Sequence, residues 1–151
     1  MKDVYLPGSY DKLKDGRLKY FMETVFTKNQ HGLSFSSILH FPETPKLHAL
    51  KGLKLTSLDL RDKKIKDFNF IVGMPLKELY LTNTEIDDLS LLKGMPLVKL
   101  DLTGTKAKNL SPLKGMPLKD LTLDETKVED LRPLKGMDLE SLRITSTAVS
   151  D

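Results

Sequence analysis

The sequence predicts a solenoid of the α/β class, in which repeated units stack side by side and share one parallel β-sheet. An L-x-x-L-x-L motif returns every 21 residues, at 55–60, 76–81, 97–102, 118–123 and 139–144, where isoleucine takes the last place. A glycine lies between successive motifs, at Gly73, Gly94, Gly115 and Gly136. A fixed period of this length is typical of stacked repeats, and a unit this short buries its apolar side chains only against its neighbours.

Composition predicts one soluble domain. The 151 residues carry 24 basic against 21 acidic side chains, a net charge of +3, with the two signs interspersed along the chain. This pattern indicates a solvated surface rather than a nucleic-acid footprint, which needs cations clustered on one face. There is no cysteine, so no disulfide or thiolate site is expected. No signal peptide or membrane-spanning run is visible, which predicts a cytoplasmic protein without membrane contact.

Residues 1–46 are predicted to form a capping region with one amphipathic helix. The apolar side chains of this helix recur at helical spacing, at Leu18, Phe21, Met22, Val25 and Phe26. Asp15 is the predicted start of the helix and Gly32 its predicted stop, with an extended segment following at 33–41. We expect this helix to cover the apolar end of the solenoid; a partner-binding helix is the alternative.

Residues 47–151 are predicted to form the solenoid, with one partial unit and then five repeats, the last incomplete. In the repeat that begins at Leu76, Leu79 and Leu81 alternate as the inward side chains of a short strand. Tyr80 then points to the open, predicted concave face. A threonine recurs just after the strand and is expected to bond backbone groups there, at Thr84, Thr105, Thr126 and Thr147, with Lys63 as the exception.

The second half of each repeat is predicted to be a single 3₁₀ or α turn. Ser111 lies where an N-cap belongs, Pro112 where a first helical residue belongs, and Gly115 at the stop. A methionine follows each turn glycine, at Met74, Met95, Met116 and Met137. Methionine is a flexible core filler, and neither histidine nor cysteine accompanies the column, so we expect no metal or cofactor.

These motifs resemble the leucine-rich-repeat family, in a short bacterial variety whose repeats have 21 residues and threonine after the L-x-x-L-x-L strand. There D-L-S-P-L-K-G-M-P links successive strands, and residues 110–117 match it from its leucine onward, with Asn109 in place of the aspartate. The resemblance covers about residues 47–151. It implies a protein- or ligand-binding module. Very similar repeats also occur on bacterial Ser/Thr kinases, notably in planctomycetes, but this chain has no kinase motif.

The open face is the predicted binding surface, because the outward strand positions form a grid of five rungs spaced about 4.8 Å apart. Tyr80 is its one aromatic side chain, and tyrosine is enriched at binding hot spots. The candidate partner-binding residues are Glu78, Tyr80, Lys99, Asp101, Asp120, Asp124 and Arg143. The alternative is an ordinary solvated sheet face that carries one tyrosine.

Other functions fit the pattern less well. An open sheet excludes little water and offers its carboxylates no serine or histidine partner of catalytic type, so no catalytic residue is predicted. His31, His40 and His48 have no metal-ligand spacing. A turn-side lysine ladder (Lys51, Lys93, Lys114 and Lys135) is diluted by neighbouring acidic residues, so no nucleic acid is expected.

The sequence therefore predicts non-enzymatic recognition of another protein through the open face. The alternative is a structural or regulatory segment of a larger bacterial signalling protein such as a Ser/Thr kinase. The last strand, near residues 139–145, is predicted to leave an uncovered row at Leu142, Ile144 and Val149. Because exposed strand edges recruit other chains, self-association through this edge is a further possibility.

Overall fold

The computed structural model describes residues 27–29, 32–34 and 55–149, the first two ranges by their backbone alone. The predicted N-terminal helix, with its start at Asp15, lies outside the described residues, as do the three histidines and Lys51.

One sheet of seven strands runs through the described chain in sequence order. Its strands have three residues each: β1 (Thr27–Asn29), β2 (Gly32–Ser34), β3 (Ser57–Asp59), β4 (Glu78–Tyr80), β5 (Lys99–Asp101), β6 (Asp120–Thr122) and β7 (Ser141–Arg143). β1 and β2 pair antiparallel, and every later pair is parallel. From β3 to β7 each residue pairs with the one 21 positions later, which confirms the predicted parallel solenoid sheet.

The β1–β2 hairpin corrects the prediction that Gly32 stops a helix. Thr27–Asn29 is already a strand, and Gly32 begins the next one. The backbone of β2 extends the parallel ladder to β3, where Leu33 pairs with Leu58. A helix has no free backbone groups to offer a sheet edge, so apolar spacing alone could not reveal this pairing. The extended segment predicted at 33–41 agrees at its first two residues.

The core lies between the strands and the turn side of the repeats. The inward leucines Leu79, in β4, and Leu81, just after it, are fully buried, as are their equivalents in and just after β3, β5 and β6. Met74, Met95 and Met116 are buried as predicted, whereas Met137, in the repeat that begins at Leu118, is half-buried. Each apolar column therefore continues from one repeat into the next, which is how stacked units bury what a lone unit exposes.

The turn half of each repeat contains a 3₁₀ helix, one of the two forms predicted. The four helices are Asn69–Ile71, Ser90–Leu92, Ser111–Leu113 and Arg132–Leu134. Ser111 is not the N-cap, because it is the first helical residue and Pro112 is the second. Asn109 caps this turn instead, since its Oδ1 accepts the Ser111 backbone N–H at 2.9 Å.

The same capping bond recurs in the other three repeats, from the same column. The acceptors there are Asp67, Asp88 and Asp130, at 2.8 Å in each case. A short polar side chain that bonds a backbone N–H two residues on stabilises a turn locally. The column is therefore structural, and it explains why aspartate or asparagine precedes every turn.

The threonine column has the predicted backbone-bonding role. Thr84, Thr105 and Thr126 are buried, and each hydroxyl donates at 2.7 Å to the carbonyl three residues earlier. Lys63 makes the same backbone turn, its N–H lying 3.3 Å from the Leu60 carbonyl, but it supplies no hydroxyl. These bonds satisfy a carbonyl where the chain leaves the sheet.

The apolar side chains in β7 and just after it are less covered than the equivalent side chains of the inner strands. Leu142 is 40% exposed and Ile144 36%, whereas the equivalent Leu121 and Leu123 are at most 1% exposed. Within the described residues β7 pairs with β6 alone. Among those residues, no helix has the length and apolar character to cross a membrane.

Candidate functional site

The open face has the predicted grid of outward side chains. The strand pairing aligns the first column, which runs Ser57, Glu78, Lys99, Asp120 and Ser141. It aligns the second column as well, which runs Asp59, Tyr80, Asp101, Thr122 and Arg143. Six of the seven candidate residues therefore lie on the three adjacent rungs of β4, β5 and β6, with Asp124 just after β6, and Arg143 lies on the next rung, in β7.

Tyr80 is the centre of a network of polar contacts. Its phenol donates to Oε2 of Glu78 at 3.3 Å, and the same oxygen accepts the Ser57 hydroxyl at 3.2 Å. Two cations lie near its ring: the Arg61 guanidinium carbon is 5.6 Å from the ring centroid and the Lys99 Nζ 5.7 Å. Both distances suit cation–π attraction, so rungs on either side of Tyr80 contribute to holding it.

Burial raises the pKa of the Tyr80 hydroxyl above its ordinary value, and the neighbouring Glu78 carboxylate raises it further. The Arg61 charge opposes this shift without cancelling it. The phenol therefore keeps its proton at neutral pH and remains a hydrogen-bond donor. This environment does not activate Tyr80 as a base or nucleophile.

Two ion pairs flank the central rungs. Arg61 binds Asp59 with its Nε 2.9 Å from Oδ1 and 3.0 Å from Oδ2, and this bond raises the Arg61 pKa. At the other end, Arg143 donates from Nε to Oδ2 of Asp124 at 3.0 Å, and its Nη2 forms an ion pair with the same oxygen at 2.9 Å. Burial by itself raises the pKa of Asp124, but the Thr145 backbone N–H at 2.7 Å and the Arg143 charge outweigh it, so the pKa is lowered.

Asp101 is held in place by two threonines. Its Oδ1 accepts the Thr103 backbone N–H at 2.9 Å and the Thr103 hydroxyl at 2.7 Å, while Oδ2 accepts the Thr82 hydroxyl at 2.9 Å. These bonds fix the carboxylate on the middle rung. Asp101 therefore presents a charge of defined position, which is a condition for binding at low entropic cost.

The sequence did not single out Arg61, Ser57, Thr82 or Thr103, although the structure places all four around the candidates. Their signal was position, because Ser57 shares the first column with Glu78. Arg61, Thr82 and Thr103 share a third outward column, just after the strands, with Asp124 and Thr145. The sequence could not predict the role of Arg61, because its ion pair with Asp59 and its contact with Tyr80 depend on side-chain conformation. The sequence pattern specifies which face a residue occupies but not which neighbour it contacts.

The turn side has a shallow depression of about 550 Å³, lined by Lys106, Lys108, Lys127, Asp87, Asp88 and Asn109. Asp88 is engaged in capping its own turn, and Lys106 lies 3.5 Å from Glu85. The ladder lysines Lys93, Lys114 and Lys135 are exposed on separate repeats. No group of three or more histidine, aspartate or glutamate side chains in the described part of the chain is arranged to hold a metal ion.

Comparison with solved structures gives the class of the fold. Internalin C2 of Listeria monocytogenes superposes with a TM-score of 0.67 at 28% identity, over 79% of this chain and 53% of that one. Internalin F of the same organism superposes with a TM-score of 0.51 at 24% identity, over 65% of this chain and 37% of that one. No protein-family model matches the sequence, and no curated protein does either.

The structure therefore has the leucine-rich-repeat fold, which is also the fold of the Listeria internalins. The chain spans about half the length of internalin C2 and 37% of internalin F. The likeness to internalin F, at 24% identity, concerns the fold alone.

Proposed function

We propose that this chain is a non-enzymatic recognition module that binds another protein through the open face of its sheet. The observation that carries the proposal is the organisation around Tyr80. A half-buried tyrosine lies at the centre of the face, between Arg61 and Lys99. Its hydroxyl donates a hydrogen bond to the Glu78 carboxylate. A rigid aromatic group surrounded by fixed polar groups is the typical composition of an interface hot spot.

The fold supports the same proposal. Leucine-rich repeats present a row of outward side chains on a sheet whose rungs are fixed by the buried core, and such extended surfaces typically bind proteins. The candidate set Glu78, Tyr80, Lys99, Asp101, Asp120, Asp124 and Arg143 would form the contact area, with Arg61 added because it touches Tyr80. The side chains are mixed in chemistry, which suits a specific but reversible interface.

The test is affinity capture with the full chain, followed by mass spectrometry and a binding measurement with the captured protein. The double variant Tyr80→Ala with Asp101→Arg removes the central aromatic group and reverses a fixed charge. We expect it to weaken binding by about 2 kcal/mol or more, because central aromatic residues contribute most of the affinity of an interface. Circular dichroism checks that the variant keeps its fold.

A matched control alters the turn side with the same chemistry, as Val72→Ala with Asp87→Arg. Both positions are exposed and neither lies on the open face. Binding should persist in the control. If the Tyr80→Ala, Asp101→Arg protein is folded and binds as tightly as the unchanged chain, the site is not on the open face.

Two narrower expectations belong to the same proposal. They are a cytoplasmic location and, as the alternative role, a structural or regulatory segment of a larger bacterial signalling protein such as a Ser/Thr kinase. Self-association through β7 is favoured by one observation, the exposure of Leu142 and Ile144. Its test belongs to the whole molecule and is given in the Discussion.

A further inference from the structure

The open face carries an excess of negative charge on a chain that is basic overall. Its outward positions include five carboxylates, namely Asp59, Glu78, Asp101, Asp120 and Asp124. They include three cations, namely Arg61, Lys99 and Arg143. Three positive and five negative charges give −2 on this face, whereas the whole chain has +3. A local charge opposite to that of the molecule selects and orients a partner of the complementary sign.

The ion pairs concentrate this excess on the middle rungs. Asp59 is paired with Arg61 at one end of the face, and Asp124 with Arg143 at the other. Both pairs are internally neutral. The remaining charges lie on β4, β5 and β6, where the carboxylates Glu78, Asp101 and Asp120 accompany Lys99. We call these four residues, Glu78, Lys99, Asp101 and Asp120, the central strip. The strip therefore has the whole net charge of −2 of the open face.

These three carboxylates retain the capacity to bind cations. Glu78 accepts both its hydrogen bonds on Oε2, and among the described residues its Oε1 accepts none. The side-chain carboxylate of Asp120 makes neither a hydrogen bond nor an ion pair with any described residue, although its backbone N–H donates to the Val98 carbonyl. Asp101 is fixed by Thr82 and Thr103, and its Oδ2 accepts only one bond from that part of the chain. Ordered carboxylates with open acceptor sites lose little freedom when a cation binds.

The spacing of the strip favours an extended partner segment. Strand pairing sets the three carboxylate rungs about 4.8 Å apart, so the strip from Glu78 to Asp120 is about 10 Å long. The strip lies on the open face of the sheet and outside the depression of the turn side, so it suits several side chains of a polypeptide more than one small cation. Nucleic acid would be repelled, because its phosphates carry the same sign as the strip.

We infer that the partner presents a lysine- or arginine-rich extended segment to the open face, and that Glu78, Asp101 and Asp120 bind its cations. This inference rests on the proposed function and adds the charge of the partner to it. Tyr80, between Arg61 and Lys99, supplies the apolar contact at the centre of the same strip. Lys99 sets the register, because it excludes a partner cation from the position between Glu78 and Asp120.

The test uses the full chain labelled for NMR and three capped peptides of equal length, in which threonine alternates with lysine, with glutamate or with serine. We expect the lysine peptide to shift the backbone amides of β4, β5 and β6. The glutamate and serine peptides should leave them unchanged. Raising the salt concentration from about 50 mM to about 500 mM should weaken the binding of the lysine peptide about fivefold, because exposed charges are screened over shorter distances.

A neutralised variant assigns the binding to the strip. Glu78→Gln with Asp120→Asn removes two charges and preserves side-chain size. This variant should bind the lysine peptide about fivefold or more weakly than the unchanged chain, as expected for lost exposed ion pairs. The matched control is Glu129→Gln with Asp87→Asn, which removes the same charge from exposed turn-side positions. The control should bind the peptide as the unchanged chain does.

Three outcomes would overturn the inference. They are a response to the glutamate peptide instead, no response of β4 to β6 to the lysine peptide, or equal weakening in the two neutralised variants. None of these results decides the proposed function, which is judged by the captured protein and the Tyr80→Ala, Asp101→Arg variant. A captured partner that binds at Tyr80 but lacks a basic segment would leave the recognition site standing and contradict its assigned charge preference.

Discussion

Asp124 shows how one side chain of the open face connects binding surface and stability. It is only 7% exposed, yet it is charged, because Arg143 and the Thr145 backbone N–H both bond it. Burial of an unpaired carboxylate would be costly, so the pair is needed for Asp124 to remain ionised. The same bonds tie β6 to the segment that follows β7.

Asp124 should make stability depend on acid pH. Its pKa is lowered in the folded protein, so its contribution is complete above the unfolded value of about 3.9 and is lost as the pH falls through the folded value. Asp124→Asn should cost about 1 kcal/mol at neutral pH, a modest figure because Arg143 is largely exposed. Urea unfolding of both proteins should show this difference shrinking below about pH 4.

Other carboxyl groups whose pKa is lowered, at Asp88, Asp130 and Asp138, are present in both proteins and so do not contribute to the difference. A difference that stays constant from neutral to acid pH would contradict this role of Asp124.

Ala107 is predicted to lie at a loosely packed point of the core. It is fully buried, in the column that holds Ile65, Ile86 and Val128 in other repeats. Ala107→Val should raise the free energy of unfolding by about 1 kcal/mol if the space is empty, at about 0.8 kcal/mol per added methylene group. The measurement is urea unfolding followed by circular dichroism.

Ala148→Val provides the matched control for Ala107→Val, since Ala148 is exposed and the same substitution there should change stability by less than about 0.5 kcal/mol. A destabilised Ala107→Val protein would show that neighbouring side chains already fill the space and that the valine overpacks it.

At the scale of the element, each 3₁₀ helix depends on the polar residue that precedes it. Asn109→Ala removes the acceptor of the Ser111 backbone N–H and should cost about 1 kcal/mol, as the loss of a helix cap does. Ser111→Ala should cost little, because the Ser111 hydroxyl makes no hydrogen bond with the described residues. Thermal unfolding of both variants measures the contrast.

If Ser111→Ala proved the more damaging change, the cap would belong to Ser111, as the sequence pattern first indicated. The pattern placed the cap two residues too late because serine before proline matches an α-helical N-terminus. A 3₁₀ helix of three residues begins with Ser111 itself, so the capping side chain comes from two residues earlier. The order of residues suggested the turn, but the hydrogen-bond geometry decided which residue caps it.

At the scale of the whole molecule, the exposed edge at β7 predicts self-association. Leu142→Lys with Ile144→Lys should abolish any concentration-dependent increase in mass seen by sedimentation, because charged side chains discourage edge pairing. The control is Val72→Lys with Val98→Lys, which charges two other exposed apolar positions. It should leave the association unchanged.

The unchanged chain could also contradict the edge prediction directly. A mass that stays monomeric at every concentration, together with slow hydrogen exchange in β7, would mean that the edge is already protected. The edge would then play no part in assembly.

The sequence by itself determined the repeat, the parallel sheet, the inward leucines and the threonine bonds, because a period of 21 residues places like residues at like positions in every unit. It also determined which side chains share the open face, since alternation along a strand is a property of the backbone. Only the tertiary structure decided that β1 and β2 join the sheet, that Asn109 caps its turn, that Asp59 pairs with Arg61 and that Asp124 pairs with Arg143. These features depend on contacts between particular atoms of one rung or turn or of adjacent strands, and a periodic sequence repeats positions without specifying the conformations that make such contacts.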